Sequence, residues 1–325
     1  MRPLAIVILL SATAAAADSV ATSAVSFSVT NPLEPLFNRT VHGTLYLPAS
    51  TPRCNRTVVL LLHGLSYGSW AWDFPIDRST YSMARALASL GYAAVAVDEL
   101  GYGNSDHPNG WNLTVQAYGS IAAQLAAALK SAAYHAAWPI AFSRLVLFGH
   151  SAGTEMSELA AGNAGAGDGL IASAYTHFPS AGILLDTISA ETPAALVAPY
   201  MYFGDNPTTR AMDMYDQTWA DPAVVSEDTS LANLTPSGEI LTISSQPSRT
   251  AIPLIHVPVL LIMAEHDVLF PPAPLELALF TAALDKTSYV VPRAGHSFML
   301  HPNAPQTQQV VGAWLSARFP SCLAP

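Results

Sequence analysis

Apolar and polar positions alternate along this chain in two different registers. Residues 25–30 and 41–47 alternate with period two and are punctuated by Pro32, Pro35 and Pro48, which predicts edge strands. Residues 57–62 and 93–97 are instead continuous apolar runs, the pattern of strands buried on both faces. Residues 144–148, 257–263 and 287–291 read as further strands, and 171–178 as a weaker one. Helical spacing occupies 81–90, 114 to about 137, 152–161 and 306–319, with Gly91 and Pro139 as stop signals. Strands alternating with helices predict an α/β fold, a mostly parallel sheet covered by helices on both faces. The glycine-rich stretch 162–169 reads as a connector, since it follows a helix and lacks the Lys-Ser/Thr end of a phosphate loop.

One region breaks the alternation. Residues 180 to about 251 show no clear buried strand but carry Tyr200, Met201, Tyr202, Phe203, Met212, Met214, Tyr215 and Trp219, with Pro193 and Pro199 expected to cut helices short. This segment reads as a cap inserted between two sheet strands, its aromatics and methionines suited to an adaptable apolar pocket wall or to the cap's own core.

Composition narrows the partners. With 51% hydrophobic and only 11% charged residues, a 325-residue chain can bury a sizeable core. Its net charge of −10, with lysine only at 130 and 286, argues against nucleic acid and anionic membrane surfaces and for a small neutral or apolar partner. Arg2, the apolar stretch 4–10 and Ala15-Ala16-Ala17 read as a signal peptide over 1–17 cleaved near Asp18, leaving 18–325 as the mature domain. No later segment has the length and apolarity of a membrane span. Four glycosylation sequons begin at Asn38, Asn55, Asn112 and Asn233, and secretion would favour pairing Cys54 with Cys322.

The chemistry concentrates at three strand ends. Gly149-His150-Ser151-Ala152-Gly153 follows a strand and opens a helix, which is the setting of a G-x-S-x-G nucleophile elbow. A serine hydroxyl needs a base, and the base needs a third group to hold its tautomer. Asp267 follows the strand ending at 263, and His296 lies just past the last strand behind Gly295. Open α/β sheets place their sites at the C-terminal ends of strands. Glu265 and Asp186 are rival acids. His256, His266 and His301 are rival bases with poorer positions, and His42, His107, His135 and His177 read as structural or exposed. No His, Cys or carboxylate spacing matches a metal site, so neither metal nor cofactor is expected.

With His63-Gly64 after the first central strand and Asp98-Glu99-Leu100-Gly101-Tyr102-Gly103-Asn104-Ser105 after the second, the chain resembles the α/β-hydrolase-fold enzymes over roughly 41–319. Within them it looks most like secreted fungal esterase-type hydrolases. The resemblance implies Ser151 as nucleophile, His296 as general base and acid, and Asp267 as its orienting acid. The backbone N–H groups of Leu65 and Ala152 would form the oxyanion hole, and His63 would shape its loop. Members with an aspartate nucleophile, the haloalkane dehalogenases and soluble epoxide hydrolases, are excluded by the serine. The single His-Gly differs from the His-Gly-Gly-Gly of many lipases. The implied activity is hydrolysis of a carboxylic ester, lactone or lipid ester. Acyl transfer or peptide hydrolysis by the same triad, and a non-catalytic binding module, are the alternatives. Tyr67, Tyr202, Phe203, Trp219 and Phe298 are the expected pocket side chains.

Overall fold

The computed structural model describes residues 20–48, 56–180, 183–203 and 207–320. The chain enters as an antiparallel hairpin, β1 (Ala21–Thr30) and β2 (Asn38–Leu47), paired from Ala21–Leu47 to Thr30–Asn38. β3 (Thr57–Leu62) follows, with all six residues buried, which is why it reads as an unbroken apolar run. Where one helix was expected over 81–90 there are two, α1 (Arg78–Tyr81) and α2 (Met83–Ser89). Ser82 separates them: its backbone is extended and its hydroxyl caps α2 by accepting the N–H of Arg85 at 3.1 Å. β4 (Ala93–Asp98) is again wholly buried.

α3 (Val115–Ser131) stops short of the expected 137 because Ala132 adopts φ +59° and turns the chain. The residues beyond it, β5 (His135–Ala136), pair with β1. β6 (Arg144–His150), α4 (Ala152–Ala164) and β7 (Gly169–Ser173) then form a parallel crossover unit.

The segment expected to be an insertion is mainly helical. It holds α5 (Ile183–Val197), β8 (Tyr200–Met201), α6 (Pro207–Met214), α7 (Pro222–Leu231), β9 (Thr235–Pro236) and α8 (Ser237–Ile243). β8 and β9 pair only with each other, so among the described residues this segment adds nothing to the main sheet. Pro193 does not end its helix but sits inside α5. The carbonyl it cannot serve belongs to Ser189, which is exposed to water. The chain closes with β10 (Val259–Ala264), α9 (Glu276–Leu279), β11 (Lys286–Val291) and α10 (Ala304–Arg318).

The nine strands lie in the order β11-β10-β7-β6-β3-β4-β2-β1-β5. The six from β11 to β4 run parallel, and β2, β1 and β5 extend the edge antiparallel. From β3 the chain moves outward to β4 and then back across to β6. The winding direction therefore reverses beside the C-terminal ends of β3 and β6, where an open sheet leaves a crevice. Among the described residues, no helix is long and apolar enough to cross a membrane.

Candidate active site

Ser151 stands at the tip of the turn between β6 and α4 with φ +55° and ψ −122°, a conformation that L residues rarely adopt. The flanking glycines are there because nothing larger fits. A Cβ on Gly149 would lie 2.2 Å from the carbonyl oxygen of Gly153, and one on Gly153 would lie 2.4 Å from that of Leu62. Buried polar groups brace the turn. Ser151 N–H donates to the Ser173 carbonyl at 2.8 Å, and Thr154 Oγ1 lies 2.8 Å from the carbonyls of both Gly149 and Ser173.

Asp267, three residues past β10, is buried and its two oxygens have separate tasks. Oδ1 accepts the N–H groups of Leu269 (3.0 Å) and Phe270 (2.9 Å), while Oδ2 lies 2.9 Å from His296 Nδ1. With Nδ1 donating to a carboxylate, the lone pair of His296 sits on Nε2, the nitrogen a general base uses. Phe270 stacks on one side of the imidazole, with ring centroids 5.7 Å apart. On another side His150 donates from Nε2 to the carbonyl of His296 at 3.0 Å, tying the histidine loop to the elbow. Burial, then the neighbouring His296, holds the pKa of His150 well below the usual imidazole range, so it is neutral.

The rival groups are engaged elsewhere. Glu265 Oε2 accepts the N–H of Arg293 at 2.8 Å, and His266 Nδ1 lies 2.7 Å from Asp216 Oδ2. His301 accepts the N–H groups of Asp216 and Gly295 on Nε2, each at 3.1 Å. His256 is exposed. Asp186 falls within α5 instead of at a strand end.

The loop after β3 carries Gly64, Leu65, Ser66 and Tyr67 over the elbow. His63 beneath it donates from Nδ1 to the Gly64 carbonyl at 2.9 Å and accepts the N–H of Glu99 on Nε2 at 3.2 Å. Burial lowers its pKa to about 4, which leaves a neutral ring holding two loops together. No hydrogen bond to another described residue occupies the N–H of Leu65 or of Ala152. The Asp98–Ser105 motif is a second brace: Asp98 accepts the N–H groups of Ser69 (2.7 Å) and Asn104 (3.0 Å).

The inserted segment is fastened to this loop from above. Arg210 of α6 forms a two-point ion pair with Asp228 of α7 (2.9 and 3.2 Å) and donates to Ser66 Oγ at 2.7 Å. Its guanidinium lies 4.8 Å from the Tyr67 ring centroid, and the Tyr67 hydroxyl is 2.5 Å from Ser297 Oγ, beside His296. Sequence reasoning missed this pair. The signal available to it was an arginine standing among the apolar residues of the insertion.

A narrow cleft opens at the site, with Ser151, His296, Gly64, Leu65 and Tyr67 on one side. Ile188, Phe203, Met214 and Ile243 wall it from the insertion, and Leu269 and Phe270 from the acid loop. Of the expected pocket side chains, Tyr67 and Phe203 line it. The other three do not. Tyr202 is 62% exposed, because it follows β8 with its ring turned to solvent. Trp219 lies under the Arg293 guanidinium, 3.5 Å from the ring centroid. Phe298 is buried behind the site against His150. A second small pocket shares Ile188, Ile243 and Phe270 with the first and reaches Tyr175.

Asn38 is exposed on β2. Asn112 and Asn233 are half-buried, and the Nδ2 atom a glycan would take donates to Glu34 Oε1 (3.0 Å) in the first and to the Tyr67 carbonyl (3.0 Å) in the second. Asn55, Cys54, Cys322 and the stretch 1–17 lie outside the described residues.

The family model of the alpha/beta hydrolase family matches residues 59–305, about three quarters of the chain, and the chain belongs to that family. No curated protein matches it by sequence. Among solved structures it is similar to a thermophilic esterase from Thermogutta terrifontis, at 19% identity and a TM-score of 0.67, over 90% of this chain and 99% of that one. It is also similar to a monoacylglycerol lipase from Paleococcus ferrophilus (18%, TM-score 0.62, 80% and 94%). A bromoperoxidase from Bacillus anthracis is comparably similar (16%, TM-score 0.63, 89% and 100%). At these identities the likeness is one of fold, and the reaction has to be argued from the site.

Proposed function

We propose that this chain is a serine hydrolase of carboxylic esters. Ser151 attacks the ester carbonyl while His296 Nε2 takes its proton, and His296 then delivers that proton to the leaving alcohol. Asp267 holds the tautomer and stabilises the imidazolium. The N–H groups of Leu65 and Ala152 receive the oxyanion, each such donor contributing about 3–4 kcal/mol to the transition state. Water then repeats the sequence on the acyl-enzyme. The observation that carries this reading is a strained serine sharing one cleft with a histidine whose Nδ1 is held by a buried carboxylate.

Two features favour an ester over a peptide. The cleft walls supplied by the insertion are apolar, and among the described lining residues there is no carboxylate to anchor a peptide amine. A fluorophosphonate probe is expected to label the protein once, at Ser151, and Ser151→Ala to abolish both labelling and p-nitrophenyl ester hydrolysis. Labelling that persists in the variant would overturn the assignment. Faster turnover of aminoacyl anilides than of p-nitrophenyl esters would move it to peptide hydrolysis.

A further inference from the structure

Behind the cleft, beyond Tyr175, four chain segments assemble polar side chains for which ester chemistry has no use. Glu155 and Glu158 project from α4, His177 follows β7, Ser248 lies in the turn Pro247–Thr250, and Glu276 opens α9. The three carboxylates and Ser248 are at most 1% exposed and His177 is 4% exposed. The sequence, with these residues scattered over more than a hundred positions, gives no metal motif and suggests a merely structural or exposed His177.

Glu276 fixes the imidazole. Its Oε1 lies 2.7 Å from His177 Nδ1 and its Oε2 accepts the His177 backbone N–H at 2.7 Å. A carboxylate on Nδ1 is how proteins orient a histidine whose Nε2 is to bind a metal. That Nε2 faces Ser248 Oγ at 3.0 Å and Glu158 Oε2 at 4.0 Å. The second distance is too long for a hydrogen bond. It falls within the roughly 4.2 Å that can separate two donors each about 2.0–2.2 Å from one ion. Among the described residues no hydrogen-bond partner meets Glu158 Oε2, which is fully buried and directed at the imidazole. A cation satisfies the exposed lone pairs and offsets the buried negative charge together. One ligating atom from each of Glu158, His177 and Glu276 lies within 4.8 Å of the others.

We propose that Glu158 Oε2 and His177 Nε2 bind a divalent transition-metal ion, with Ser248 supplying a further oxygen and Glu276 holding the imidazole. One nitrogen among oxygens suits Zn²⁺. The ion would pin α4, which begins just after Ser151, to the segment that follows Asp267. It has no part in the ester reaction, so this assignment stands or falls independently of the one above.

The test is metal content and binding in the full-length protein purified without chelator. Expected are one equivalent of Zn²⁺ by mass spectrometry and, after stripping and dialysis, one-site rebinding by calorimetry with a rise in Tm. Glu158→Gln should abolish binding, and Glu276→Gln should weaken it by about 10–100-fold, as loss of an orienting partner does. A stripped, folded protein that binds no Zn²⁺, or a Glu158→Gln variant that binds it like the wild type, overturns the site. If stripping unfolds the protein, the content as purified decides: stoichiometric metal supports the site and metal-free protein overturns it.

Discussion

At the scale of single residues, Arg210 has more influence than its distance from Ser151 in the chain suggests. Both members of its ion pair with Asp228 are buried, and the same guanidinium reaches Ser66 in the loop that carries Leu65. Removing one partner of a buried pair leaves an uncompensated charge, typically a loss of about 3–5 kcal/mol. Arg210→Met is therefore expected to lower the unfolding free energy measured in urea by that order. Arg210→Met combined with Asp228→Leu should recover part of the loss, because no stranded charge remains. Esterase kinetics should show kcat falling more than KM rises, since Ser66 and Tyr67 set the loop that receives developing charge. Equal stability losses in the single and double variants would contradict this account. Ser151, Asp267 and His296 were legible in the sequence because each lies within a few residues of a strand's C-terminal end. Arg210 and Asp228 were not, because they meet across two helices of an aperiodic segment.

Among the elements, legibility followed burial. β3 and β4 announce themselves because all twelve of their positions are buried, and a strand covered on both faces can carry nothing else. Helix ends were harder: Ser82 starts the helix expected from 81, an extra turn precedes it, and Pro193 fails to end another helix. The pocket was the least readable. Its composition, aromatics and methionines, is visible in the sequence, but which of them face inward is set by how α5, α6 and α8 settle on the sheet. Tyr202 and Phe203 are neighbours with opposite fates for that reason. Ile188 of α5, Ile243 of α8 and Phe270 form the wall between the cleft and the second pocket. Ile243→Ala should open it. Its kcat/KM for octanoyl relative to acetyl p-nitrophenyl ester is expected to rise by roughly tenfold, the low end of what a methylene or two in an apolar pocket is worth. An unchanged ratio would mean the acyl chain takes another path.

For the molecule as a whole, buried acids set the response to pH. Glu239 in α8 is fully buried; its Oε2 accepts the Tyr102 hydroxyl at 2.6 Å. Burial pushes its pKa from 4.5 up to about 8, and Glu99 nearby is raised by burial and by Glu239 itself. A raised folded-state pKa means the folded protein keeps a proton that the unfolded chain releases. The stability associated with it is complete below 4.5 and drains away as pH climbs through about 8. Each such group contributes a slope of up to about 1.4 kcal/mol per pH unit in that window. Tm is expected to decline from pH 5 to 8.5, and Glu239→Gln to flatten the decline. A Tm that rises with pH over this range would show that other groups dominate.

The backbone of Ser151 leads to a conclusion of a different kind. A residue held at φ +55° and ψ −122° costs about 1–3 kcal/mol, a sizeable share of the margin by which a protein stays folded. Only glycine could relieve that strain in place. Ser151→Gly is therefore expected to raise Tm while removing the proposed nucleophile, so stability and the proposed activity pull in opposite directions here.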